Sequence, residues 1–95
     1  MVSMIRYTVN FAGRVQGVGF RYTARRIATG FQVAGYVQNL RDGRVRLVGE
    51  GEKDQLDALV SAICRHMEGY VEHHEIEESQ ATGEFGTGGE LGIRR

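Results

Sequence analysis

The sequence has 95 residues, 41% hydrophobic and 25% charged, so residues 1–95 are read as one globular domain and whole-chain disorder is excluded. Net charge is +0, yet residues 1–48 hold eight arginines against the single acid Asp42, while 49–95 hold eleven acids against four basic residues. Such asymmetry fits either an anionic ligand on the basic half or charge pairing between neighbouring strands, and charge alone leaves both open.

Met4–Val15 alternates, with Ile5, Tyr7, Val9 and Phe11 on one face and Arg6, Thr8 and Asn10 on the other, which predicts a strand with one buried face. From Phe20 the period lengthens. Phe20, Ala24, Ile27, Ala28 and Phe31 form one helical stripe that stops near Gly30, and Arg25 and Arg26 read as exposed helix charges. Val33–Asn39 is a second strand, Arg41-Asp42-Gly43 a hairpin turn, and Val45–Gly49 a third strand returning antiparallel to the second. Glu52–Met67 carries Leu56, Leu59, Val60, Ile63, Cys64 and Met67 at helical spacing, with acids in its first turn and Gly69 after its end. Tyr70–Glu78 is a fourth strand in which Val71 and Ile76 have opposite parity, the mark of a bulge. Ser79–Gly89 is a polar, glycine-rich loop, and Glu90–Arg95 is a candidate for a short fifth strand at the edge. The order βαββαβ predicts an α+β, ferredoxin-like sandwich, an antiparallel sheet with two helices on one face.

The chemistry concentrates in Arg14-Val15-Gln16-Gly17-Val18-Gly19-Phe20-Arg21, between a strand and a helix start. A helix start leaves four N–H donors without intrahelical partners and places partial positive charge there, while Gly17 and Gly19 let the backbone approach a ligand. A tetrahedral oxyanion is the expected occupant, and Arg21 in the first helical turn can add a planar, bidentate fork. Tyr22 stands where a dinucleotide fingerprint needs its third glycine, and no Gly-Lys-Ser/Thr follows, so two familiar nucleotide loops are excluded. Asn39 ends the second strand just before a turn. Its amide can fix a water, or it can stabilise its own turn.

Gly13–Arg21 together with Gly35-Tyr36-Val37-Gln38-Asn39 and Asp42-Gly43, and the spacing from Phe20 to Asn39, resembles the acylphosphatase family over residues 5–78. The resemblance implies the ferredoxin-like sandwich and hydrolysis of acyl phosphates to carboxylate and inorganic phosphate, with no metal and no organic cofactor. It implies that Arg21 and Asn39 are the catalytic pair, holding phosphate and orienting water. Phosphate binding falls to Gln16, Gly17, Val18, Gly19 and Phe20 with Arg21. The chain departs from the family pattern at Gln32-Val33, at Tyr36, and in a tail that is rich in glycine and lacks a terminal aromatic.

A small-molecule acyl phosphate is thus the expected partner, with inorganic phosphate or other oxyanions as product or inhibitor. A non-catalytic anion-binding module of the same fold is the alternative. Nucleic acid is not an expected partner, because the third strand Val45-Arg46-Leu47-Val48 has no aromatic for base stacking. Met1–Arg6 lacks the apolar length of a signal peptide or membrane span, and Cys64 is the single cysteine. A cytoplasmic monomer without membrane contact is expected. Adjacent His73 and His74 point to opposite faces of their strand, so with His66 they read as solvated side chains, not a metal site.

Overall fold

The computed structural model describes residues 3–86 and 89–95. It contains β1 (Met4–Gly13), α1 (Phe20–Ala28), β2 (Ala34–Asn39), β3 (Val45–Glu52), α2 (Lys53–His66), β4 (Val71–Gln80) and β5 (Leu91–Arg94). The two helices lie on one face of a five-stranded sheet of order β4-β1-β3-β2-β5. Alternation does the sorting: Tyr7, Val9 and Phe11 of β1 and Val45 and Leu47 of β3 are buried beneath Phe20, Ala24 and Ala28 of α1 and Leu56, Leu59 and Ile63 of α2.

The sheet is mixed, which corrects the expectation of an antiparallel one. β1 pairs antiparallel with β3 and β4, and β2 antiparallel with β3, but β5 runs parallel to β2, with Gly35 opposite Leu91. The chain leaves β4 at the end of the sheet where β2 begins. Having crossed that end, it can only run in the direction of β2.

The bulge anticipated in β4 is present. Ala12 faces His73 and Gly13 faces Val71, so Glu72 is the extra residue, and it returns Val71 to the face that carries Ile76. The loop expected over 79–89 is shorter, because Ser79 and Gln80 extend β4 against Arg6 and Ile5. Residues 87 and 88 of that expected loop, like residues 1 and 2, lie outside the described residues.

Residues 82–85 fold over the sheet face away from the helices, and Glu50 is what anchors them. Glu50 is 5% exposed, and its carboxylate accepts from the amides of Thr82 (2.8 Å) and Gly83 (2.9 Å), from Arg6 Nε (2.8 Å) and from the Thr82 hydroxyl (3.0 Å). Burial pushes the Glu50 carboxyl up, but the two amides and the Arg6 guanidinium outweigh it and bring it down to about 2. Arg6 also bonds Glu84 and lies over the Phe85 ring, which meets Tyr36 edge-on.

Candidate active site

The segment between β1 and α1 is fixed at both feet. Val15 is buried on one side, and on the other the buried Phe20 ring packs against Phe11 with centroids 5.0 Å apart. At its base Gly13 has φ 124°, and a Cβ there would stand 2.3 Å from the Tyr70 carbonyl oxygen, to which the Arg14 amide donates at 2.9 Å. Only glycine permits that approach.

Between those feet, Gln16 to Gly19 stand exposed. Gly17 (φ 78°) and Gly19 (φ 76°) are both left-handed, and no atom lies within 4 Å of where their Cβ atoms would be. Backbone conformation, not crowding, therefore requires glycine at these two positions. Gly19 leads directly into α1, which has no side-chain cap and no acid in its first turn. Among the described residues, no main-chain N–H from Val15 to Tyr22 has a protein acceptor. Those unpaired donors and the positive end of the helix dipole both favour a negative group at the loop.

The Gln16 side chain brings this loop to the β2–β3 turn. Its amide donates to the carbonyls of Leu40 (2.7 Å) and Arg44 (3.0 Å). The turn itself is stabilised by Asp42, whose carboxylate accepts the Arg44 amide at 3.0 Å and the Arg44 Nε at 2.8 Å. Asn39 is therefore not needed as a turn stabiliser. It is half-buried at the end of β2, and its side-chain amide has no protein partner among the described residues. Arg21 donates from Nη1 to the Arg94 carbonyl of β5 at 3.0 Å. That tether spends one of five guanidinium donors.

Arg21 and Asn39, predicted from sequence, line one cavity together with Gly17, Gly19 and Phe20 of the loop. The cavity sits at the end of the sheet where β1 and β2 finish, opposite the end that Glu50 occupies. Val18 instead holds its side chain out to solvent.

The family model described as Acylphosphatase matches residues 7–88. The chain belongs to the acylphosphatase family. An acylphosphatase of Methylococcus capsulatus is 45% identical over 84 residues, covering 86% of this chain and 90% of that protein. One of Paenarthrobacter aurescens is 42% identical over 82 residues, covering 85% and 87%. The crystal structure of acylphosphatase from Bacillus subtilis superimposes with a TM-score of 0.84 at 32% identity, covering 96% of this chain and 99% of that one. The protein is thus an enzyme of the acylphosphatase class with that family's sandwich.

Sequence reasoning did not single out several residues at this candidate site. The Gln16 side chain was not anticipated as the stitch between loop and turn, because its two acceptors are main-chain carbonyls 24 and 28 residues away. Tyr22, Arg25, Ile93 and Arg95 border the opening beside Arg21 and Asn39. For Arg25 a signal existed: four residues after Arg21, it shares that residue's helix face. The histidines stay apart. His74 is 3.7 Å from the Cys64 sulfur, His73 is 3.4 Å from Glu75, and His66 is 3.5 Å from Arg26. Among the described residues, no three His, Cys, Asp or Glu side chains group as a metal site would require.

Proposed function

We propose that this acylphosphatase holds the phosphoryl group of an acyl phosphate on the amides of Gln16–Phe20 and on Arg21, and that Asn39 aims a water at phosphorus. The observation that carries this reading is the single cavity shared by the glycine loop, the Arg21 side chain and an Asn39 amide free of protein partners. Water oxygen bonds to phosphorus, and the bond from phosphorus to the carboxyl oxygen breaks. The carboxylate leaves with that electron pair, and the water proton passes to an oxygen of the substrate. Among the described residues no acid or histidine lines the cavity, so no side chain is assigned as general base. None is required, because a carboxylate is a good leaving group. Loop amides and guanidinium instead neutralise charge on the phosphoryl oxygens as attack proceeds, and the alignment of water removes orientational freedom.

The test is phosphate release from benzoyl phosphate by the parent chain and by Arg21→Ala. Release by the parent and its near-complete loss in the variant is expected. A fully active variant overturns the assignment. Protection of the fold by inorganic phosphate without any hydrolysis would identify the anion-binding module instead. The same reading makes inorganic phosphate a competitive inhibitor; we also propose a cytoplasmic monomer that takes no nucleic-acid partner, its third strand having no aromatic for base stacking.

A further inference from the structure

The loop cavity continues past Arg21, Tyr22 and Asn39 into a wider groove, whose other walls are Arg25, Ile93 and Arg95. With the phosphoryl group seated at the loop, this groove is the adjoining space open to an acyl group. Its chemistry is uneven. Ile93 packs against the core and offers a small apolar floor, while Arg25 and Arg95 contribute two guanidinium groups besides that of Arg21. No carboxylate side chain lines it.

α1 as a whole carries Arg21, Arg25 and Arg26 and no acid. Among the described residues, neither Arg25 nor Arg95 belongs to any ion pair. Glu90 borders an adjoining recess with Arg25 and Arg26 yet bonds neither. Arg25 is held in place by stacking, its guanidinium 5.3 Å from the centroid of the exposed Tyr22 ring. Four residues along a helix is a rise of about 6 Å, so Arg25 stands one turn from Arg21 on the same face, the span of a short acyl chain.

We infer that this groove is the acyl subsite and that Arg25 and Arg95 select acyl phosphates whose acyl group bears a second negative charge at its far end, a carboxylate or a phosphate. The inference rests on the phosphate seat proposed above and adds a substrate class to it. The distal anion meets cations that form no ion pair among the described residues. An uncharged acyl group meets only Ile93 and the Tyr22 ring. Such a contact binds substrate and transition state alike, so its signature is a change in KM.

Succinyl phosphate and butyryl phosphate share a chain length and differ in the distal carboxylate, which makes them the probes. Phosphate release is measured from each at low ionic strength with the parent chain, Arg25→Gln, Arg25→Lys, and the Arg25→Gln/Arg95→Gln double variant. The parent is expected to favour succinyl phosphate by about tenfold in kcat/KM, mostly through KM, and that preference should fade with added salt. It should shrink in Arg25→Gln, survive in Arg25→Lys and approach unity in the double variant. Equal kcat/KM for the two probes in the parent overturns the inference, as does a preference that persists in the double variant. In both cases hydrolysis of butyryl phosphate leaves the activity itself standing. Failure of the parent to hydrolyse either probe overturns the activity, and this inference with it.

Discussion

Between β4 and β5 the amides of Thr82 and Gly83 close on the Glu50 carboxylate together with Arg6, whereas the amides from Val15 to Tyr22 find no acceptor among the described residues although Arg21 stands beside them. The donor sets are alike: consecutive main-chain N–H groups, a glycine in the left-handed region, and one arginine. The acceptor differs. At the Glu50 end the chain supplies its own anion, and the segment after β4 is fastened to the sheet. At the Arg21 end the donors face outward, and the loop is held from behind by Val15, Phe20 and Gln16. The Glu50 end shows what such a donor set does to a negative group, for it brings a buried carboxyl down to about 2. Stability and ligand capture thus draw on one motif, separated by whether the acceptor is part of the chain.

Four substitutions test how far that likeness goes. The largest effect is expected from Arg21→Ala, which should lower kcat/KM for benzoyl phosphate by roughly a thousandfold, or about 4 kcal/mol, with little change in a urea midpoint. A loss below about tenfold would mean that the outward donor set is not catalytic.

Glu50→Gln should instead spare turnover of the folded enzyme and destabilise it by about 3 kcal/mol, since it weakens the bonds of a buried charge and takes from Arg6 one of its two carboxylate partners. The same carboxyl sets a pH dependence. Its value falls from the ordinary 4.5 to about 2 on folding, so its contribution is fully present above about pH 4.5 and is lost as the pH drops toward 2. Urea titrations across that window should show the parent losing stability and Glu50→Gln losing less.

Asn39→Ala is expected to lower kcat by about thirtyfold while phosphate still raises the melting temperature, because water alignment and anion binding are separate tasks. Equal loss of both would place Asn39 in the binding set. The smallest effect belongs to Gly19→Ala. Its Cβ would meet open space, so only the left-handed backbone is penalised, by about 1 kcal/mol, read as a lower unfolding midpoint and weaker phosphate protection.

Much of this architecture was legible in the chain. Period-two alternation in Ile5–Phe11 and the helical stripe from Phe20 fixed the strand, the helix and the loop between them, and that loop's glycines and arginine point to an anion from sequence alone. The water-orienting role proposed for Asn39 rests on the resemblance, because asparagine at a turn is ambiguous on its own, and in the structure it is Asp42 that stabilises the turn. The direction of β5 was not legible, since a four-residue strand carries too little pattern to choose a neighbour. Nor was the Glu50 cluster. Its members are 32 residues and more apart, and a glutamate near the end of a strand looks like any solvated one until its partners fold over it.

The charge asymmetry between the two halves also resolves in space. Glu50 and Glu84 answer Arg6, but the arginines of α1 form no ion pair among the described residues, and the acids collect on β4 at the far side of the sheet. β4 is a ten-residue outer strand paired only with β1, and all of it beyond Val71 is exposed. An unguarded border of that length would recruit a strand from another molecule. Glu72, Glu75, Glu77 and Glu78 act as insulation, because two such borders brought together would set like charge against like. Neutralising those glutamates should leave phosphate release unchanged and raise self-association, read by light scattering.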